Sequence, residues 1–183
     1  MLNKTITVLL IFAFLSGCSA TGTTPADKRA SINQMHNKVL SEIYAKSSTA
    51  KSDVSSSAGY AVFSNAQINL FIVSGGTGFG VAKSNGKSIY MKMAEAGIGL
   101  GLGVKDFRAL FVFHTQKAYT DFVEKGWAFG AEADAAAKTS DKGGETGGGV
   151  TIGNITVYQI TDTGLTLQAT VKGTKYWKDS ELN

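Results

Sequence analysis

The chain has 183 residues, a formal net charge of +4, 22 glycines, one proline and one cysteine. That length holds one domain with a real core. Its aromatic and branched residues exclude a collagen-like or disordered chain, and a lone cysteine excludes an internal disulfide framework. The mild basic balance permits an anionic partner without demanding one.

The first residues read as an export signal. A short n-region carries Lys4, and "ITVLLIFAFL" follows as an apolar run too short for a comfortable membrane span. Leu15, Ser16 and Gly17 before Cys18 resemble the lipobox of bacterial lipoproteins. In that family the cysteine sulfur takes a diacylglycerol and the signal is cut just before it. The expectation is therefore a signal over residues 1–17, a lipidated Cys18, and a tether over 18–24. By resemblance to enteric lipoproteins, Ser19 favours the outer membrane, with the protein facing the periplasm.

Thr24, Pro25 and Asp27 predict a helix start with a capping box. Ile32, Met35, His36, Val39, Leu40, Ile43 and Tyr44 recur at helical spacing on one face. "KSSTAKSDVSSS" breaks that pattern and reads as a linker, so residues 25–57 form a helix and linker ahead of a domain over 58–183. From there the period is two. "YAVFS" and "INLFIVS" predict successive strands, and "GGTGFG" a tight bend or a glycine strand. Asn85-Gly86 predicts a hairpin turn, with "SIYMKM" returning. "GIGLGLGV" predicts a strand with one apolar and one bare face, followed by a turn at Lys105-Asp106. "FRALFVFHT" puts Phe107, Phe111 and Phe113 opposite Leu110 and Val112. A second helix runs from its cap at Thr115 to a stop at Gly126, with Tyr119, Phe122 and Val123 as its stripe. "WAFGAEADAA" returns to alternation, "KTSDKGGETGGG" reads as a mobile loop, and "VTIGNITVYQI" with "GLTLQATVKG" predicts a hairpin. The fold class is α+β: one β-rich domain built on a curved antiparallel sheet or barrel, with an N-terminal helix.

The glycines make no nucleotide loop. "GGTGFG" and "GIGLGLG" miss the GxGxxG spacing and lie among strands. "GVAKSNGKS" misses the phosphate-loop spacing by one residue, and a hairpin accounts for it better. Signals for catalysis are poor. The two histidines, His36 and His114, are far apart in sequence, and no GxSxG elbow occurs. Glu132 and Asp134 fall on one side of a predicted strand and read as a solvated face. A non-catalytic protein without metal or cofactor is expected, and no nucleic-acid partner.

"AGYAVFSNA", "VSGGTGFGVA" and "GIGLGLGVKDFRALFVFHTQKAYTDF", in this order, resemble the SYLF domain family over residues 58–171. Known bacterial members include small lipoproteins. The resemblance implies phospholipid binding, as in eukaryotic relatives that bind phosphoinositides or actin, and a β-rich fold with a small α/β unit of the BON type. Candidate headgroup contacts are Lys83, Lys87 and Lys92 around the Asn85-Gly86 turn, with Lys105 and Arg108 as a second cluster. The first helix, whose polar face is mostly neutral amides, is expected to pack on the domain rather than lie in a bilayer. The alternative is an envelope scaffold that binds other proteins and uses the lipid only as a tether.

Overall fold

The computed structural model describes residues 20, 22–71, 73–97, 101–128, 145–146, 148–161, 164–166 and 174–183. Helix α1 (Pro25–Lys46) starts on the expected box: the Thr24 hydroxyl accepts from the Asp27 amide at 3.1 Å, and the Asp27 carboxylate accepts from the Thr24 amide at 3.2 Å. Helix α2 (Ser48–Ser56) occupies the stretch expected to be a linker. Ser47 caps it, accepting from the Ala50 amide at 3.2 Å. Ala50 and Val54, one turn apart, pack toward the core, and Ser55, Ser56 and Ser57 return their hydroxyls to carbonyls three or four residues back. Serine's competition with the backbone hid this helix from a pattern reading.

The described strands are β1 (Gly59–Phe71), β2 (Val73–Ser84), β3 (Lys87–Gly97), β4 (Gly101–Phe113), β5 (Trp127–Ala128), β6 (Glu145–Thr146), β7 (Gly149–Ile152), β8 (Ile155–Thr161), β9 (Gly164–Thr166) and β10 (Thr174–Lys178), with helix α3 (Gln116–Lys125) between β4 and β5. They form one antiparallel sheet in the order β5-β10-β3-β2-β1-β4-β8-β7-β6, with β9 pairing β8 over Gln159–Thr161, beyond the stretch that β7 pairs. This is the expected α+β architecture with a single β-rich domain.

Several local expectations are corrected. β1 is one strand where two were read, whereas "GGTGFG" takes the second of its two readings, a glycine strand within β2. Lys105 and Asp106 do not turn; they continue β4, paired with Gln67 and Ala66, because an uninterrupted neighbour in β1 fixes their backbone. The glycine ribbon is not one strand. Gly97 ends β3 and Gly101 begins β4, and β2 and β1 lie between those strands in the sheet. Glu145 and Thr146, placed in the loop, pair with β7. "VTIGNITVYQI" also holds a hairpin of its own, β7–β8, turned by Gly153 at φ 58°, and the expected hairpin with "GLTLQATVKG" is present as β8–β9, with Thr161 opposite Gly164. The Asn85-Gly86 turn is as read, with both residues at positive φ, 49° and 75°. Residues 129–144, which include Glu132 and Asp134, and the predicted signal with Cys18 lie outside the described residues.

Alternation along the strands gives the sheet two apolar faces. On one, Phe63, Phe111, Phe113, Met91, Met93 and Tyr176 pack around Phe122 of α3. Four strand spacings separate β10 from β4, about 19 Å in a flat sheet. The rings of Tyr176 and Phe111 nevertheless lie 5.0 Å apart, so the sheet curls around this face as a half-barrel. Among the described residues, the aromatic side chains of this cluster and Met91 and Met93 occupy that interior. The outer face carries Val62, Leu110, Val112, Tyr158 and Ile160 and is covered by Val39 and Ile43 of α1 with α2. Tyr158 fixes α2 there by donating to the Asp53 carboxylate at 2.6 Å.

The curl needs close backbone contact at β2. Gly80 stands opposite Phe63, whose ring lies over it. A Cβ on Gly80 would collide with that ring and with the Val62 carbonyl. Gly80→Ala is therefore expected to destabilise the fold by about 1–3 kcal/mol, read as a lower urea midpoint. An unchanged midpoint would mean that the ring moves aside freely.

Candidate functional site

The lysines expected to converge do not. Lys83 and Lys92 point to the outer face, but Lys87 falls on the inner one, since alternation sends successive odd and even positions of β3 to opposite sides. Lys83 stands opposite Ser88, and Lys92 lies four residues further along, about 13 Å away. Lys83 is half-buried, and desolvation lowers its pKa. Lys92 is engaged by Asp179 at 3.1 Å and Glu181 at 3.7 Å. Arg108 lies on the outer face against Glu42 of α1 at 2.8 Å, and Lys105 is placed in β4 by backbone pairing alone. The two predicted clusters are thus distributed over both faces of the sheet.

A different arrangement is built at the outer face. A cavity of about 250 Å³ lies between α1, strands β2, β3 and β10, and the segment Asp179–Asn183. Phe79, Ile32, Trp177 and Leu182 supply its apolar wall, and Lys28 and Lys92 stand over it. Glu181 reaches both lysines at 3.7 Å. Ala20, 8% exposed, packs into the same wall with Ile32, Val81 and Leu182. Sequence reasoning singled out only Lys92 of this set. Lys28 stands one turn before Ile32, in line with the face read as apolar, and Asp179 and Glu181 stand in "KYWKDSELN", where alternation stops. The one available signal was the mixed charge around Trp177.

A larger cavity, about 500 Å³, opens between α3 and the β7–β8 turn. Its charges are already matched on one helix: Asp121 holds Lys117 and, at 2.8 Å, Lys125, each one turn away. The histidines are separate. His36 is buried, its ring 5.7 Å from that of Tyr60, and meets Asn37 at 2.9 Å. Burial lowers its pKa, with Lys83 adding repulsion. His114 meets Thr156 at 2.7 Å at the end of β4. Among the described residues no three His, Cys, Asp or Glu gather as a metal site. No described helix is long and apolar enough to cross a membrane.

One polar pair is set into the inner face. Asn65, 2% exposed, donates its amide to Glu95 at 2.7 Å, while its carbonyl oxygen has no hydrogen-bond partner. Burial raises the Glu95 pKa, opposed by the Asn65 hydrogen bond.

No family model matches the chain. Over 162 residues it is 32% identical to a protein of Aeromonas veronii named Beta cell expansion factor A, an alignment that takes in 87% of this chain and 60% of the relative. The chain thus spans about three fifths of the length of that curated relative.

Glu95 has a consequence for stability against pH. A carboxyl whose folded pKa is raised binds its proton more tightly in the fold, so the stability it adds is lost as pH rises through that raised value. Glu95→Gln is expected to raise the thermal midpoint at pH 7, with the advantage shrinking toward pH 4 in a series of melts. His36 acts oppositely. Held neutral, it supports the fold above its ordinary pKa and withdraws support as pH falls below it. In the same melts His36→Gln is expected to reduce the loss of stability between pH 7 and pH 5.

Proposed function

We propose that the protein is a lipid-anchored, non-catalytic member of the SYLF domain family that rests on an anionic phospholipid surface of the bacterial envelope. The observation that carries this reading is the position of Ala20. It is buried in the wall of the cavity beneath Lys28 and Lys92, two residues from Cys18. Two extended residues reach about 7 Å. A diacylglycerol on Cys18 therefore tethers this cavity, rather than the opposite face, to the bilayer. The apolar wall and paired lysines suit the glycerol-phosphate region of a phospholipid, where apolar and anionic groups adjoin.

The chain from Ser19 holds every described helix, strand and core residue, so it is expected to fold without the lipid, as circular dichroism would show. It is expected to float with vesicles containing anionic phospholipid at low salt and to bind neutral vesicles weakly. Lys28→Glu is expected to weaken binding by about fivefold or more. Absence of flotation at low salt would rule the reading out.

A second reading rests on the relative's name. The identity across most of this chain supports a role as an expansion factor for beta cells. Adding the purified protein to cultured beta cells and scoring proliferation tests it, and an unchanged count rejects it.

A further inference from the structure

We infer that the segment Asp179–Asn183 is a built-in competitor for the lysine cavity, occupying with its own carboxylates the place an anionic phospholipid headgroup would take. The inference rests on the phospholipid reading given above and adds its regulation.

The segment follows β10 and is pinned at several points. The Asp179 amide donates to the Tyr90 carbonyl at 2.9 Å, and the Tyr90 amide donates to the Asn183 side-chain carbonyl, also at 2.9 Å. The Asn183 amide group donates back to the Tyr90 carbonyl at 2.8 Å. Arg29 of α1 donates to the Leu182 carbonyl at 3.0 Å. Leu182, 3% exposed, is seated between Ile32 and Val81. These contacts aim Asp179 and Glu181 at the lysines.

Their charges cancel locally. Two ammonium groups meet two carboxylates, so the resting cavity offers little net attraction to an anion. The two carboxylates are held differently. Asp179 is 6% exposed at its side chain and accepts from the Glu181 amide at 3.0 Å, which makes it part of the fold. Glu181 is 62% exposed and bridges Lys28 and Lys92 at 3.7 Å, the long end of ion pairing. Such an exposed bridge is weak and yields to a phosphate that brings several acceptor oxygens. Glu181 is therefore the exchangeable group. Displacing it frees Lys28 and leaves Lys92 with Asp179 as its one remaining carboxylate, and losing Leu182 from its seat widens the apolar wall.

The test compares four forms of the chain from Ser19 by flotation with vesicles of phosphatidylglycerol in phosphatidylcholine. They are the unsubstituted chain, Glu181→Gln, Leu182→Ala, and Glu124→Gln. The last makes the same charge change as Glu181→Gln but on α3, at the opposite face. Circular dichroism checks that each is folded. Glu181→Gln is expected to raise affinity about fivefold, the effect of one basic charge near an anionic surface. Leu182→Ala is expected to raise it too, without any change of charge, which is a gain that added positive charge does not explain. Glu124→Gln is expected to bind as the unsubstituted chain does. Equal binding by all four overturns the competitor while leaving the phospholipid reading intact, and so does an equal gain in Glu124→Gln. If none of the four floats at low salt, the phospholipid reading falls and the competitor falls with it.

Discussion

The contact between Tyr176 and Phe111 governs the architecture. Those rings come from strands four positions apart in the sheet and meet at 5.0 Å, with Phe63 at 4.7 Å from Tyr176. Only a strongly curled sheet brings them together. Edge-to-face packing of this kind favours rings over aliphatic side chains, since each ring edge is drawn to a neighbouring face. Glycines 78 and 80 leave room for the curl in β2, directly beneath Phe63 and its neighbours. Helix α3 then caps the inner face through Phe122, and α1 closes the outer one. Each surface feature takes its place from that curl.

Much of this was legible in the sequence, and the failures have physical causes. Period-two alternation marked the stretch of β1 to β4 as strand, though not where each strand begins and ends, and separated Phe111 and Phe113 from Leu110 and Val112 correctly. Capping chemistry at Thr24 and Thr115 gave two helix starts, because a cap is a local event between residues three apart. Helix α2 was missed because its serines satisfy carbonyls of their own turn, so polar composition there does not mean loop. A turn was expected at Lys105-Asp106 from the local sequence alone, whereas pairing with β1 decided the backbone.

The candidate site was less legible than the fold. Lys83, Lys87 and Lys92 look clustered around a turn, but strand alternation and the length of β3 disperse them. The residues that do assemble, Lys28, Lys92, Asp179 and Glu181, come from the beginning, middle and end of the described chain. No local pattern links them. Only the packing of α1 across the sheet and the return of the chain after β10 bring them together.

The seat of Leu182 against α1 also bears on how the molecule is made. Arg29 and Leu182 are bonded across 153 residues of sequence. A contact of that span forms only after the intervening chain is available, and its closure entropy must be met before any local gain returns it. The docking face of α1 around Ile32 therefore lacks its final cover until residue 182 has emerged. A chain emerging from its N-terminal end stays open on that side until residue 182 is available, and completes its outer layer last.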